Sequence, residues 1–437
     1  MLPRPLCEIA CSLNENVDRL AFSCIWTMNM DGTMLSEGGD GHVWYGRTVI
    51  RSCARLDYST AQNIIEEKVA PPSSYGDHGD MDEDLWPLSR RPTGGHSVTD
   101  VASDVRVMHK IAQARRKLRF QNGAFALHGI KLAFRLGPAG QPEVCSPYPI
   151  RDSNRLVEEY MLLANYLVAQ RLLTHAGGIA LIRRHAEPSD EGLEEVAAAS
   201  EAEGLDIDVT NSTTLQESLS RLEAECNDPM ILQTITALLT TPMKNAEYIA
   251  AGCVPEEEWR HFALNIPYYT HFTSPIRRYA DVQVHRILLA TIEGKVSKYY
   301  LSENDIHAAA KHCNERNMSS KKAQERADRV FLAIYLKKRP MMSEIATVTS
   351  MGKESFTVLV LSTGVTQKVN IPRDHPLVKF QHFAGERRIH LVPLAGHACD
   401  WTSMNIVMFA KIVVSCHCTE AGPIDVLVKI VGPYCGD

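Results

Sequence analysis

His271-Phe272-Thr273-Ser274-Pro275-Ile276-Arg277-Arg278-Tyr279-Ala280-Asp281-Val282-Gln283-Val284-His285-Arg286 is the stretch around which the rest of the chain is organised. It reads as a helix start. Ser274 is a good N-cap, because its hydroxyl accepts from backbone N–H groups left without partners in a first turn. Pro275 suits the first helical position, where its missing N–H costs nothing. Ile276, Ala280, Gln283 and Ile287 recur at helical spacing on one face, while Arg277, Asp281 and His285 lie four apart on another. An arginine in the first turn opposes the helix dipole and needs a partner. Two readings stand open: an ordinary surface pair with Asp281, or a phosphate held at the helix N-terminus.

Composition narrows the class. The chain has 437 residues, 45% hydrophobic and 22% charged, which describes a soluble globular protein with room for more than one domain. No apolar run approaches the roughly 18 residues that span a bilayer. The first residues, with Pro3, Arg4 and Pro5, lack an apolar signal segment. Twelve cysteines are scattered without a C-x-x-C pair, and Cys416-His417-Cys418 is too tight for a zinc clamp. Reduced thiols of a cytosolic chain are the better reading. The net charge is −6 and the pI about 6.3, so any binding of a polyanion would need basic residues concentrated in one channel.

Periodicity predicts an α+β protein. Strands are expected around 19–28 and 42–53, with a turn at Asp31-Gly32-Thr33, an insertion-like loop over 37–41, and a helix over 59–67 capped by Ser59. Residues 69–98, dense in Pro, Ser, Gly and acid, read as a flexible acidic linker with little to bury. Asp77, Asp80, Asp82, Glu83 and Asp84 within it lack the ligand spacing of a calcium loop and read as a solvated run. A helix over 99–120 ends in Arg115-Arg116-Lys117-Leu118-Arg119, and two short strands follow over 125–136. An apolar helix spans 152–173; Glu158 shares a face there with Asn154 and Asn165, and polar groups on so apolar a helix need a reason. Residues 186–300 read as mostly helical. A further helix over 303–338 carries Arg316, Lys321, Lys322 and Arg326, either a solvated face or the lining of a path for a polyanion. From about 342 the period changes to alternation, with strands over 345–348, 356–361, 367–371, 389–392, 407–414 and 426–431, as in a small β-barrel of the OB type.

The opening stretch resembles the signature of the RNase II/R (RNB) family of 3′→5′ exoribonucleases. So do Met1-Leu2-Pro3-Arg4-Pro5-Leu6-Cys7-Glu8, Cys11-Ser12-Leu13-Asn14, Asp18-Arg19-Leu20-Ala21-Phe22-Ser23, Arg47-Thr48-Val49-Ile50-Arg51-Ser52 and Asn154-Arg155-Leu156-Val157-Glu158-Glu159, in the family's order. The likeness is greatest to its eukaryotic cytoplasmic, exosome-independent branch, which acts on 3′-uridylated RNA. It implies a partial RNB catalytic domain over 1–340 and an S1-like OB domain that binds RNA over 341–437. It also implies hydrolysis of single-stranded RNA to nucleoside 5′-monophosphates in cytoplasmic RNA decay, by a monomer without membrane contact. Arg277 matches the family's essential arginine, expected on the scissile or terminal phosphate, and Glu158 a catalytic-cavity glutamate. Tyr58 falls at a base-stacking aromatic, with core packing as its other reading, and Phe125 near one, where core packing is the better reading; Arg278, Asn154, Lys321 and Lys322 are further expected RNA contacts. His271, Asp281 and His285 are expected in structural, hydrogen-bonding roles rather than on a metal.

The family's metal ligands come from an aspartate-rich motif ending in D-x-D-D, which precedes the segment matched by the first residues here. The resemblance therefore implies magnesium or manganese in the complete enzyme and no metal ligand within this chain. The expectation is an N-terminally truncated chain, inactive by itself. The alternative is a non-catalytic RNA-binding or regulatory fragment.

Overall fold

The computed structural model describes residues 2–35, 43–69, 82–125, 127, 129–226, 228–371, 378–383, 388–394 and 401–435. The insertion-like loop over 37–41, with Asp77 and Asp80, lies outside them. The chain divides into two compact units: Met1–Phe125, Ile150–Glu187 and Lys244–Arg316 form the first, and Ala126–Pro149, Pro188–Met243 and Asn317–Asp437 the second.

In the first unit, β1 (Asp18–Trp26) and β2 (Val43–Arg51) pair antiparallel from Asp18↔Arg51 to Trp26↔Val43. Helix α1 (Tyr58–Ile65) begins one residue before the expected cap. Asp57, not Ser59, is the N-cap, its carboxylate accepting from the Thr60 N–H at 2.7 Å. Helix α2 (Val98–Gln121) is capped by Ser97, which accepts from the Asp100 N–H at 3.0 Å. Helix α3 (Asp152–Ala176) buries Leu156, Leu163, Leu167, Val168 and Leu172. The described part of the expected linker is not free chain, because Trp86 within it is fully buried among Ile64, Ala102, Val105 and Leu156. One large apolar side chain in an otherwise polar run is enough to dock it.

Two four-residue strands, β5 (Leu181–Arg184) and β6 (Glu247–Ala250), pair antiparallel where the sequence reads as helical or as connecting loop. Helix α7 (Tyr279–Ile292) starts later than predicted: Pro275, Ile276 and Arg277 form a turn, and Arg278 is the N-cap. The physical reason lies in Asp281, the third residue of the helix. Its carboxylate reaches back to the Ser274 N–H and the Arg278 guanidinium and so holds the chain ahead of the helix, while the cap residue Arg278 makes no side-chain hydrogen bond to the first turn. Ala280, Val284, Ile287 and Leu288 of α7 pack with Val168 and Leu172 of α3 and with Leu181, Ile182 and Ile249 of the strand pair. Helix α8 (Glu303–Lys338) starts in this unit and ends in the other.

In the second unit the two short strands fall later than expected, as β3 (Leu132–Leu136) and β4 (Pro142–Pro147). Three helices follow: α4 (Asp190–Glu201), α5 (Ser212–Glu225) and α6 (Pro229–Thr240). The C-terminal strands are β7 (Met341–Met351), β8 (Ser355–Val360), β9 (Val365–Asn370), β10 (Val378–Phe383), β11 (Arg388–Pro393), β12 (Met404–Ile406), β13 (Lys411–Cys418) and β14 (Val426–Pro433). They form a five-stranded antiparallel sheet, β14-β13-β7-β8-β9, and a three-stranded one, β10-β11-β12. Register shifts at Val348/Ser350 and Val413/Val414 bend the larger sheet until its edge strands β14 and β9 approach each other. This curl is that of an OB-type fold. Val348, Phe356, Val358, Val414 and Val428 fill its interior with Leu332 and Leu336 of α8. The mixture of helices and antiparallel strands is the α+β class expected. Among the described residues no helix is long and apolar enough to cross a membrane.

Candidate functional site

The functional side chains of the opening stretch sit on a loop whose backbone is clamped at nearly every step. Asn165 of α3, 2% exposed, donates to the Tyr269 hydroxyl at 2.7 Å and accepts from the Phe272 N–H at 2.8 Å. That is the reason for one polar residue on the apolar helix. The Thr270 hydroxyl donates to the Leu181 carbonyl at 2.6 Å, and His285 Nε2 lies 2.8 Å from the Phe272 carbonyl. Asp281, fully buried, accepts from the Ser274 N–H at 2.7 Å and from the Arg278 guanidinium at 2.7 Å through each oxygen. Such a fork holds both partners in one plane. Asp281 and His285 thus have the structural roles expected of them.

Arg277 and Arg278 are thereby separated. Arg278 is committed to Asp281. Arg277 has its backbone N–H on the Ser274 carbonyl at 3.2 Å, and among the described residues its exposed guanidinium hydrogen-bonds only the Ser274 hydroxyl, at 3.4 Å. The pair of Arg277 with Asp281 allowed by their spacing does not form. A permanently charged fork on a rigid loop is suited to a phosphate.

Behind the loop lies a group of buried aromatic and imidazole rings. Tyr248 of β6 has its hydroxyl 2.6 Å from His271 Nδ1. Burial first, then Arg278, Arg183, His261 and Arg277, pushes the His271 imidazole down to about 2. Burial, with His185 and Arg183 adding, pushes His261 down to about 3. Both rings are neutral at ordinary pH and add no charge to the site. Burial likewise drives the Tyr269 hydroxyl up to about 12.

The other predicted residues fall in several places. Tyr58 is exposed at the first position of α1, and its carbonyl accepts from the Ser153 hydroxyl at 2.7 Å, which ties α1 to the start of α3. Asn154 accepts from the Arg151 N–H at 3.0 Å and closes the capping box of α3. Glu158, one turn further on, is 41% exposed and 4.0 Å from Arg116. Its neighbour Glu159 is 2% exposed and takes Arg119 at 2.6 and 3.3 Å. Tyr58, Asn154 and Glu158 therefore share one end of α3. Phe125 is 4% exposed, edge-on to Phe262 with ring centroids 5.4 Å apart, as a core residue would be. Lys321 and Lys322 are exposed on the part of α8 that belongs to the second unit. Arg326 on the same helix bonds Asp425 at 2.9 Å and so braces the barrel. Among the described residues no three His, Cys, Asp or Glu side chains gather as metal ligands, so the residues present do not make a magnesium site. Sequence reasoning missed Glu159, Arg119, Arg183 and Tyr248. The spacing of Arg115 and Arg119 on α2 was a signal for the first pair.

A model of the RNB domain matches residues 1–294. The chain belongs to the RNB family. Among RNB relatives, DIS3-like exonuclease 2 of Xenopus tropicalis is 38% identical over 372 residues, covering 84% of this chain and 42% of the relative. A relative from Arabidopsis thaliana named Inactive exonuclease DIS3L2 is 31% identical over 445 residues, covering 92% of this chain and 38% of its own. The chain thus spans about two fifths of the length of the curated relatives it matches. The fold is that of RNB structures. Mycoplasma genitalium RNase R in complex with ribose methylated single-stranded RNA superposes with TM-score 0.74 at 16% identity, over 98% of this chain and 60% of that one. Yeast Ssd1, a pseudonuclease, superposes with TM-score 0.74 at 18% identity, over 100% of this chain and 59% of that one.

Proposed function

We propose that this chain is the phosphate-gripping part of a 3′→5′ exoribonuclease. On this reading the parent RNB enzyme acts on single-stranded, 3′-oligouridylated RNA and releases nucleoside 5′-monophosphates during RNA decay in the cytoplasm, as a monomer. The carrying observation is the contrast at 277–278. Arg278 and Asp281 lock the loop, and Arg277 projects from it with its guanidinium uncommitted. A phosphodiester at Arg277 receives two parallel N–H groups and a full charge, and the clamped backbone lets the contact form without ordering the loop. Tyr58, exposed near the start of α3, offers a ring on which a base stacks whatever its identity. Glu158 stands at the same end with a carboxylate that accepts from a ribose hydroxyl. A divalent ion, magnesium or manganese, supplies the attacking water in hydrolysis of this kind. No cluster of ligands for it forms among the described residues.

The likeness to the relative named Inactive exonuclease DIS3L2 supports a second reading, in which the chain binds RNA without cutting it, as a regulatory or non-catalytic RNA-binding part. Anisotropy with a fluorescent 3′-oligouridylated single strand, followed by product analysis with magnesium, separates the two. Both readings expect binding that weakens with salt, with a log–log slope of roughly −0.7 per phosphate contact. Magnesium-dependent release of nucleoside 5′-monophosphates supports the exonuclease. Binding without product supports the second reading, and no binding at any salt concentration overturns both. In the complete enzyme Arg277→Ala abolishes turnover with the fold intact; retained turnover removes Arg277 from the site.

A further inference from the structure

Arg183 lies behind the Arg277 loop and has no role in the preceding account. It is the third residue of β5 and faces Tyr248 directly across the strand pair, with Cζ 4.8 Å from the centre of the Tyr248 ring. Its backbone N–H donates to the Tyr269 carbonyl at 2.7 Å, so the strand is laced to the clamped loop. The residue is partly exposed, but its Nη1 is fully buried and without a hydrogen-bond partner. It makes no ion pair among the described residues. Its neighbours offer no counter-charge, only the ring and hydroxyl of Tyr248. Asp281 spends both oxygens on Arg278, and the nearby imidazole of His271 is neutral. Arg183, Arg277 and Arg278 all lie close enough to His271 to act on it. Three guanidinium groups and one carboxylate in so small a space leave an excess of positive charge. Unpaired charge in partial burial is costly unless something outside the chain neutralises it. Burial lowers the affinity of Arg183 for its proton, against the opposing pull of the Tyr248 and Tyr269 phenols.

We propose that Arg183 is a second phosphate-binding residue of this site, its guanidinium taking a phosphodiester beside the one held at Arg277. The inference rests on the reading that the site takes RNA. The cation–π contact with Tyr248 fixes the plane of the guanidinium in advance, so binding orders little side chain. An arginine kept only for packing has no use for the charge. An arginine kept for an anion costs the free protein stability and returns it when the anion arrives.

The test compares Arg183→Met, which keeps length and apolar bulk, with the wild-type chain. Two quantities are read: the midpoint of thermal unfolding and the affinity for a fluorescent oligouridylate at several salt concentrations. The expected result is an unfolding midpoint equal to or above wild type, with binding weakened about tenfold and a salt slope shallower by roughly 0.7. A lower midpoint with unchanged affinity and slope makes Arg183 structural and overturns the proposal. Should Arg183→Met not fold, Arg183→Lys keeps the charge and loses the fork; weakened RNA binding then supports the proposal and unchanged binding overturns it. Failure of the RNA reading is separable. If Arg277→Ala loses affinity and Arg183→Met does not, RNA binding stands and this inference falls. If wild type binds no RNA but inorganic phosphate raises its midpoint and not that of Arg183→Met, the anion site stands and the RNA reading falls. If phosphate also has no effect, both fall.

Discussion

Two places in the first unit carry a pair of like residues side by side: Arg277-Arg278 on the loop before α7, and Glu158-Glu159 on α3. In each, one member is used up inside. Arg278 forks onto the fully buried Asp281, and Glu159, 2% exposed, takes the fork of Arg119. In each, the other member points outward. The two differ in how free that outward member is. Among the described residues Arg277 hydrogen-bonds only a serine hydroxyl, whereas Glu158 remains 4.0 Å from Arg116. An adjacent pair is a cheap way to build a rigid site, since one step along the backbone sends the next side chain to another face. The inner residue fixes the backbone and the outer one inherits its position. The comparison also says that the arginine pair is the stronger candidate for a ligand, because among the described residues no carboxylate pairs with Arg277.

The comparison can be broken most directly through its inner members. Asp281→Ala leaves the Arg278 guanidinium without its carboxylate and frees the Ser274 N–H. A loss of roughly 3–5 kcal/mol is expected, read by denaturant unfolding. A loss below about 1 kcal/mol shows that the loop does not depend on this pair.

Acid should weaken the rings behind the loop next. The unfolded chain takes protons on histidine near pH 6.5, while folded His271 and His261 do so only near 2 and 3. Below about 6.5 the unfolded state therefore binds more protons, and stability falls as pH falls. Each of the two contributes a slope of up to about 1.4 kcal/mol per pH unit. Unfolding curves between pH 7 and 5 test this, and His271→Asn should make the dependence shallower. An unchanged slope in that variant places the acid sensitivity elsewhere.

On α3 the contrast is sharpened by two isosteric changes. Glu159→Gln removes the charge opposite Arg119 but keeps an acceptor, at a cost of roughly 1–3 kcal/mol. Glu158→Gln should leave stability within about 0.5 kcal/mol. Equal costs at the two positions would erase the distinction between inner and outer residue. The smallest effect is expected at Arg277→Ala, whose unfolding midpoint should match wild type while RNA affinity falls; a marked loss of stability there would make Arg277 part of the clamp.

Much of the fold is legible in the sequence because its elements are long. The 25-residue α3 and the alternation of Phe356, Val358 and Val360 repeat their period often enough to be read. Strands β5 and β6 have four residues each, too few for any period to emerge, and their pairing joins positions more than sixty apart in the chain. Arg183 and Tyr248 face each other only because of that pairing. The helix start was legible and misplaced. Ser274 and Pro275 form a good local cap, but Asp281 ties the Ser274 N–H and the Arg278 guanidinium together, and the helix starts four residues later, at Tyr279. Trp86 shows the same limit, since a polar segment reads as a linker until one ring finds a cavity prepared by α1, α2 and α3.

The sequence by itself determined the family, through motifs in a set order, and the class of the fold, through the change of period near residue 342. It also singled out Arg277, because a run of identities is local information. Only the tertiary structure decided which arginine is spent and which is available, which glutamate is buried, and that Arg183 stands behind the loop without a carboxylate. These depend on where charges from distant segments meet. Coulomb interaction and burial act through space, at separations that no order along the chain records.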